Sequence, residues 1–565
     1  MTGSRTATGA VTATAVGTGA RHSRWALPVS AAAVVLAVHA AVALVVGPNG
    51  CDDGSITVAF LRTFAVHADV ALTPVSERVE GFSSVAWFAL LSAVLAVVPL
   101  GFTGAVALSQ LLAALMSAGT ALLLVVLLRP HLRPSAAWVL AVVAVGVGPA
   151  LNETVNGMEM SALSLLALLA VWALRRGGRT AGVVVVAVAV AAPAVRLESA
   201  AYVVAGLLGL AVLGGARGRA AATVAAVLAS VLALTAGRWL LFGELVPNTL
   251  LAKRFPPYSA SSGADRVAAS LAVLKELALV AVPGAAAVVL ARLGRSPGGA
   301  RAGGVRSALR PPHLAFAAGW VVGVAVVNLV IGVNWGYVGR MEQSAVGPLV
   351  VVAAAWVNGS RSPGRGLGQR VTAVGAVLVV VAAGVLGLRH EAFQERLDPA
   401  AQLAVSPSEY RQSGEVFDAV RRALGRDTLT VLVPDVGGTA LCCTRLRILD
   451  LGLLANPELA REGFARFPEY LAREDPDVVE THEGWSAASG IYATSVFRER
   501  YTPVVDGDVA FYLRDDLLAR LAGACRPVAV DDTLALRNRG QVDDDYVRSL
   551  GLATLCSLEL PGPPA

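Results

Sequence analysis

The residues of this sequence best suited to chemistry are two adjacent carboxylates, Asp52 and Asp53, in the run Cys51-Asp52-Asp53-Gly54-Ser55. Side by side, two carboxylates repel, so one holds its proton to a higher pH. Such a pair can take a proton from a hydroxyl as a general base, or hold a divalent cation. The same residues also suit a solvated turn in which an Asp caps the next helix. Acids recur at four more places: Glu80 in Ser76-Glu77-Arg78-Val79-Glu80-Gly81-Phe82, Glu159 in Asn156-Gly157-Met158-Glu159, Glu198 beside Arg196, and Glu244 ahead of Pro247-Asn248-Thr249. Cations stand close to them in the chain. Arg196, Lys253 and Arg340 have the charge to grip a phosphate at a membrane surface, and lipid headgroups would satisfy them equally well.

The elements that must carry these groups are mostly apolar helices. Of 565 residues 55% are hydrophobic and 15% charged, against about 25% charged in an ordinary soluble domain. This reads as a membrane protein. Apolar runs near the length of a spanning helix lie at about 25–47, 103–128, 135–151, 158–174, 181–195, 199–215, 219–242, 269–292, 313–333, 344–358 and 370–388, with 83–100 as a twelfth candidate. Residues 1–24, rich in Thr, Ala and Gly, read as a disordered cytoplasmic tail.

Charge sets the orientation. Residues 1–390 hold 28 Arg or Lys against 12 Asp or Glu, a net +16, while residues 391–565 hold 18 against 28, a net −10. With 83–100 kept outside as a juxtamembrane or re-entrant helix, Arg129 and Arg133, Arg175 to Arg179, Arg217 and Arg219, five arginines from Arg292 to Arg310, and Arg361 to Arg370 all face the cytoplasm. Eleven spans follow. The N-terminus is then cytoplasmic, residues 25–389 form the membrane domain with a first outer loop at 48–102, and the acidic tail 390–565 is a soluble extracytoplasmic α/β domain.

Within that tail, Thr428 to Val433 reads as a strand, Asp435 to Gly438 as a turn and Glu458 to Glu474 as a helix. Among the five cysteines, Cys525 can pair with Cys556, and Cys51 with Cys442 or Cys443, if the region is oxidising; free thiols fit as well. Only two lysines occur, and neither belongs to a Gly-Lys-Ser/Thr phosphate loop, which disfavours an ATP-driven pump. The arginines are scattered between apolar runs, which disfavours nucleic acid as a partner.

The stretch Cys51 to Trp87 resembles the first outer loop of GT-C membrane glycosyltransferases, in particular the actinobacterial terminal β(1→2) arabinofuranosyltransferases. Four later segments resemble the same family in the same order: Gly157-Met158-Glu159, Arg196-Leu197-Glu198, Phe242 to Lys253 around Pro247-Asn248-Thr249, and Asp435-Val436-Gly437 with Ile448 to Leu453. Leu197 stands where the family has proline, Cys442-Cys443 replaces a Gly- or aromatic-containing turn, and Asn334 to Arg340 lacks an acid often found there.

The resemblance implies a polytopic GT-C-like helical fold. It further implies that a sugar, arabinofuranose in that family, passes from a polyprenyl-phosphate donor to a cell-envelope glycan acceptor on the outer face of the plasma membrane. On this reading Asp52 is the base and Asp53 orients it or shares a divalent cation. Arg196, Lys253 and Arg340 bind the donor phosphate, and Glu80, Glu159, Glu198 and Asn248 bind substrate or shape the loops. A transporter or lipid-linked-sugar flippase is the main alternative, and a sugar-binding scaffold the next. Polar clusters at outer helix ends, with no clear internal repeat, weigh against transport.

Overall fold

The computed structural model describes residues 19–47, 52–256, 258, 263–293, 309–331, 339–359, 407–530 and 544–558. Fourteen helices precede the C-terminal domain in the described residues: α1 (Gly19–Val46), α2 (Asp52–His67), α3 (Val85–Val97), α4 (Phe102–Leu128), α5 (Pro134–Gly146), α6 (Pro149–Val155), α7 (Met160–Arg176), α8 (Gly178–Val195), α9 (Ser199–Val212), α10 (Arg217–Phe242), α11 (Asn248–Ala252), α12 (Gly263–Leu293), α13 (Pro312–Ile331) and α14 (Gln343–Gly359). Ten of the eleven expected runs fall on these helices, and the eleventh, 370–388, lies outside the described residues.

Among the described residues six helices are long and apolar enough to cross a membrane by themselves: α1, α4, α8, α10, α12 and α13. The expected span at 135–151 is a pair, α5 and α6, bent by 48° where Gly148 takes a positive φ ahead of Pro149; taken together the pair makes a seventh. α9 and α14 are shorter apolar helices, and α7 is not among the six, so helix length alone does not reach the count of eleven among the described residues. The chain is a multi-pass membrane protein. α3 has 13 residues, too few for a bilayer core that needs about 20. α1 starts at Gly19, so the last residues assigned to a disordered tail are helical.

Small residues let the bundle close. α9 and α13 pack along Gly206, Gly209, Gly319 and Gly323, where a Cβ on Gly209 would strike the Ala315 carbonyl and one on Gly319 the Ala205 carbonyl. Such close backbone approach is the usual means of helix association where no hydrophobic drive separates helix from lipid.

The C-terminal domain is α/β. A helix, α15 (Pro407–Ala423), leads into a mixed seven-stranded sheet of order β2-β1-β3-β5-β4-β7-β6, with β1 (Leu429–Val433), β2 (Leu446–Asp450), β3 (Val478–Val479), β4 (Tyr501–Asp506), β5 (Val509–Arg514), β6 (Cys525–Ala529) and β7 (Leu552–Cys556). β1 is the expected strand. The expected turn at 435–438 is instead a single helical turn, Val436–Thr439, and the expected helix at 458–474 breaks into Pro457–Glu462 and Phe467–Glu474, where Gly463 takes a positive φ. Cys525 and Cys556 are register partners and form a disulfide. Cys442 bonds Cys443, its chain neighbour, which removes both from any bridge to Cys51; Cys51 itself lies outside the described residues.

The first outer loop and this domain share one core. Ile56, Phe60, Phe82, Trp87 and Leu91 cluster with Phe417, Leu429, Val431 and Ile448. Polar contacts fix the register: the Ile448 amide donates to Ser76 Oγ at 3.0 Å, and Thr73 Oγ1 donates to the Leu446 carbonyl at 2.7 Å.

Candidate active site

The outer loop is tied down at both ends by residues chosen for size. Gly54 sits where a Cβ would strike the Asn156 carbonyl, so the start of α2 lies directly on the turn after α6. That turn is held from the other side: Trp87 Nε1 donates to the Gly157 carbonyl at 3.1 Å, and Ser109 Oγ donates to the same oxygen. Met158 and Glu159 are thereby presented to Asp53.

Four ion pairs, made by three arginines, organise the charges. Arg340 Nη1 meets Asp53 Oδ2 at 2.5 Å, with the arginine side chain 6% and the aspartate 35% exposed. Arg196 is clasped by two carboxylates, Glu159 at 2.8 Å and Glu198 at 2.5 Å. Glu80 binds Arg238 through both oxygens, at 2.6 and 3.1 Å, and is shut away. Burial would raise the Asp53 carboxyl, but the Arg340 guanidinium outweighs it and holds the group below the usual carboxylate range. Lys253 moves the other way: burial first, then the nearby Arg196, push it down to about 8.

Two adjoining cavities meet at this cluster. The first, about 490 Å³, is lined by Asp53, Thr57, Ser83, Glu159, Lys253 and Tyr258 among others. The second, about 720 Å³, has Arg196, Glu198 and Lys253 at one end and Leu197, Pro247, Leu250 and Ile331 as apolar walls. Ser83, Thr249 and Lys253 line both. A ligand with a polar head and an apolar chain can occupy the two at once.

Of the residues singled out from sequence, Asp53, Glu159, Arg196, Glu198 and Lys253 line these cavities, and Arg340 reaches them through Asp53. Asn248 faces the outer domain, its Nδ2 donating to the Leu453 and Leu454 carbonyls at 3.0 and 2.8 Å. Glu80 lines neither cavity and ties the loop to α10. Asp52 opens α2, but its side chain lies outside the described residues. No group of three or more His, Cys, Asp or Glu placed to hold a metal ion occurs among the described residues, and Asp53 faces a guanidinium.

Sequence reasoning missed Tyr258, which donates to the Gly452 carbonyl at 2.8 Å while lining the first cavity. It also missed Ser83 and Thr249, although both stand inside quoted motifs. An Asp435–His482 pair at 2.8 Å in the outer domain had no signal at all, since the two are 47 residues apart.

No protein-family model and no curated protein matches the chain. The solved structures similar to it include two from one archaeon. One is the Archaeoglobus fulgidus oligosaccharyltransferase in the apo form, with 11% identity over 89% of this chain and 80% of that one, TM-score 0.45. The other is the oligosaccharyltransferase AglB of the same organism in complex with an inhibitory peptide and a dolichol-phosphate, with 12% identity over 86% and 74%, TM-score 0.40. Similarity of this degree assigns no activity.

Proposed function

We propose that the chain is a GT-C-like membrane glycosyltransferase that moves a sugar from a polyprenyl-phosphate donor to a glycan acceptor at the outer membrane surface. The observation that carries this reading is the pair of cavities joined at Lys253, one polar with Asp53, the other walled by Leu197, Pro247, Leu250 and Ile331. The lipid chain lies along the apolar walls, its phosphate beside Lys253 and Arg196, and the sugar in the polar cavity. Arabinofuranose as the sugar, and a cell-envelope glycan as the acceptor, follow from the sequence resemblance.

In the reaction the acceptor hydroxyl gives its proton to a carboxylate, its oxygen bonds the anomeric carbon, and the bond from that carbon to the phosphate oxygen breaks. The electron pair leaves with the lipid phosphate. Asp52 is the base. Asp53, held ionised by Arg340, fixes the guanidinium close to the developing charge, and Lys253 and Arg196 stabilise the departing phosphate. The eleven-span topology, with residues 390–565 outside, belongs to this reading. The Cys525–Cys556 bridge suits an oxidising outer compartment, and cysteine-accessibility probes at Gly177 and Gly303 should report cytoplasm.

The test is to incubate the purified chain with a panel of polyprenyl-phosphate sugars and an oligosaccharide acceptor and follow release of lipid phosphate. Wild type should release it with at least one sugar. Asp52→Asn should lose roughly 10²- to 10⁴-fold, the usual size of a general-base contribution, while inserting and folding normally. No release with any donor, or an Asp52→Asn rate within a few-fold of wild type, rejects the reading or its base.

A further inference from the structure

A third cavity, of about 370 Å³, lies where the second half of α2 meets the outer domain, and it shares no lining residue with the two described above. Its polar walls are Arg62, Thr63, His67, Thr73 and Thr444. No carboxylate lines it. Arg62 is half-buried, and its guanidinium donates to the Leu441 carbonyl. Its one charged neighbour of note, Arg411, is of like sign and, after burial, lowers its pKa further. Arg78, Arg196, Arg238 and Arg340 each sit against a carboxylate, whereas Arg62 has none among the described residues.

The hydrogen-bond inventory says what is missing. Thr63 Oγ1 donates to the Leu72 carbonyl at 3.0 Å and Thr73 Oγ1 to the Leu446 carbonyl at 2.7 Å, so those hydroxyl protons are committed. A guanidinium has five N–H donors, and among the described residues one of Arg62's is used. The His67 ring and the Thr444 hydroxyl make no side-chain hydrogen bond among the described residues. Three side chains therefore converge with donors to spare, one of them permanently positive, around a space with no acceptor of matching charge. That is the donor set of an oxyanion site, and the guanidinium fork matches phosphate.

The surroundings favour a lipid as the source. Val66 (75% exposed) lies on the same stretch of α2, and Phe64 there packs edge-on against Phe88 of α3 at 5.4 Å. An exposed apolar rim beside a cationic cavity is what a headgroup with its acyl chains would cover.

We propose that this cavity binds a phosphate group, supplied by an anionic phospholipid headgroup or by a soluble phosphate. Bound there, it would bridge α2 to the turn that carries the Cys442–Cys443 bridge, since Arg62 touches both the cavity and Leu441. Arg62 is nine residues from Asp53, about 13.5 Å along the helix, so the ligand would brace the far end of the helix that presents the catalytic pair. The site does not depend on the transferase reading.

The test measures thermal unfolding of the full chain in detergent with a short-chain phosphatidylglycerol, with the matching diacylglycerol, and with inorganic phosphate alone. A saturable rise in Tm with phosphatidylglycerol and not with diacylglycerol is expected. Arg62→Gln should weaken the apparent affinity at least tenfold, the scale of a charged hydrogen bond. Because that substitution also loses the Leu441 contact, His67→Gln and Thr444→Val, on exposed positions, serve as folded controls and should each weaken it several-fold. A rise with inorganic phosphate that phosphatidylglycerol does not exceed assigns the site to soluble phosphate. Equal stabilisation by diacylglycerol, no stabilisation by any probe, or a response unchanged in all three variants overturns the proposal.

Discussion

Arg340 with Asp53 and Arg238 with Glu80 are the same chemistry in two places: a buried arginine from the helical bundle closing on a carboxylate of the first outer loop. They differ in what the carboxylate faces. Glu80 is 4% exposed and both its oxygens are spent on Arg238, whereas Asp53 is 35% exposed and lines a cavity. The Arg238–Glu80 pair is a fastener, and the Arg340–Asp53 pair is a fastener with one side open to a cavity. A buried ion pair by itself says little about function, because removing one partner leaves an uncompensated charge in either case; the cavity distinguishes them.

The sharpest way to break this comparison is to neutralise both carboxylates. Asp53→Asn should lower transfer by roughly 10²-fold or more, with folding close to wild type because the partly exposed amide and water can still face Arg340. Glu80→Gln should do the reverse. Losing one partner of a closed pair costs about 3–5 kcal/mol, so yield and Tm should fall while the rate per folded molecule stays near normal. Rates on quantified folded protein separate the two, and equal catalytic losses would erase the distinction.

Lys253 gives a smaller effect with two opposed signs. Its pKa is pushed down to about 8 in the folded protein from 10.5 in the unfolded chain. Between those values the unfolded state binds the extra proton, so stability rises with pH through that window. The charge offered to a donor phosphate is lost over the same range. Donor use should therefore fall above about pH 8 as Tm holds or climbs, and Lys253→Ala should weaken donor use at pH 7 and flatten the pH dependence. Lys253→Arg should recover part of the loss, limited by its larger planar head. Unchanged donor kinetics in the alanine variant would remove Lys253 from the site and leave it a headgroup anchor.

Hydropathy made the bundle legible, because a spanning helix is an uninterrupted apolar run and the breaks fall at glycine, proline and charge. It overstated what single runs can do: 135–151 is one run in sequence and two helices bent at Gly148 in space. Much of the site was legible because its residues sit in short polar islands between apolar helices, as with Asp53, Glu159 and Arg196-Leu197-Glu198. What failed was pairing. Nothing in the chain ties Glu80 to Arg238 across 158 residues, or Arg62 to the Leu441 carbonyl across 379. The vicinal bridge escaped for another reason: adjacent cysteines are rarely expected to bond each other, so the sequence reading offers one of the two to Cys51 or leaves the thiols free.

The mildest prediction concerns Asp450, at the end of β2 where the outer domain meets the loop that contacts Asn248 and Tyr258. It is 1% exposed, and its Oδ2 accepts from the Ala455 amide at 2.5 Å. Burial pushes its pKa up to about 7, more than the amides around it pull it down. Here the folded state binds the extra proton between the unfolded value of 3.8 and about 7, so stability should decline as pH rises through that interval. Asp450→Asn removes the ionisation and keeps an acceptor for the Ala455 amide. The variant should match wild type near pH 5, and by pH 8 it should be the more stable of the two, with the gap growing across pH 6 to 7. Unlike Asp53, Asp450 has no cation beside it among the described residues to hold the charge, so the same isosteric change that silences one carboxylate should stabilise the other. Parallel Tm curves for wild type and variant from pH 5 to 8 would show that Asp450 is ionised throughout and that the surrounding amides, not burial, govern it.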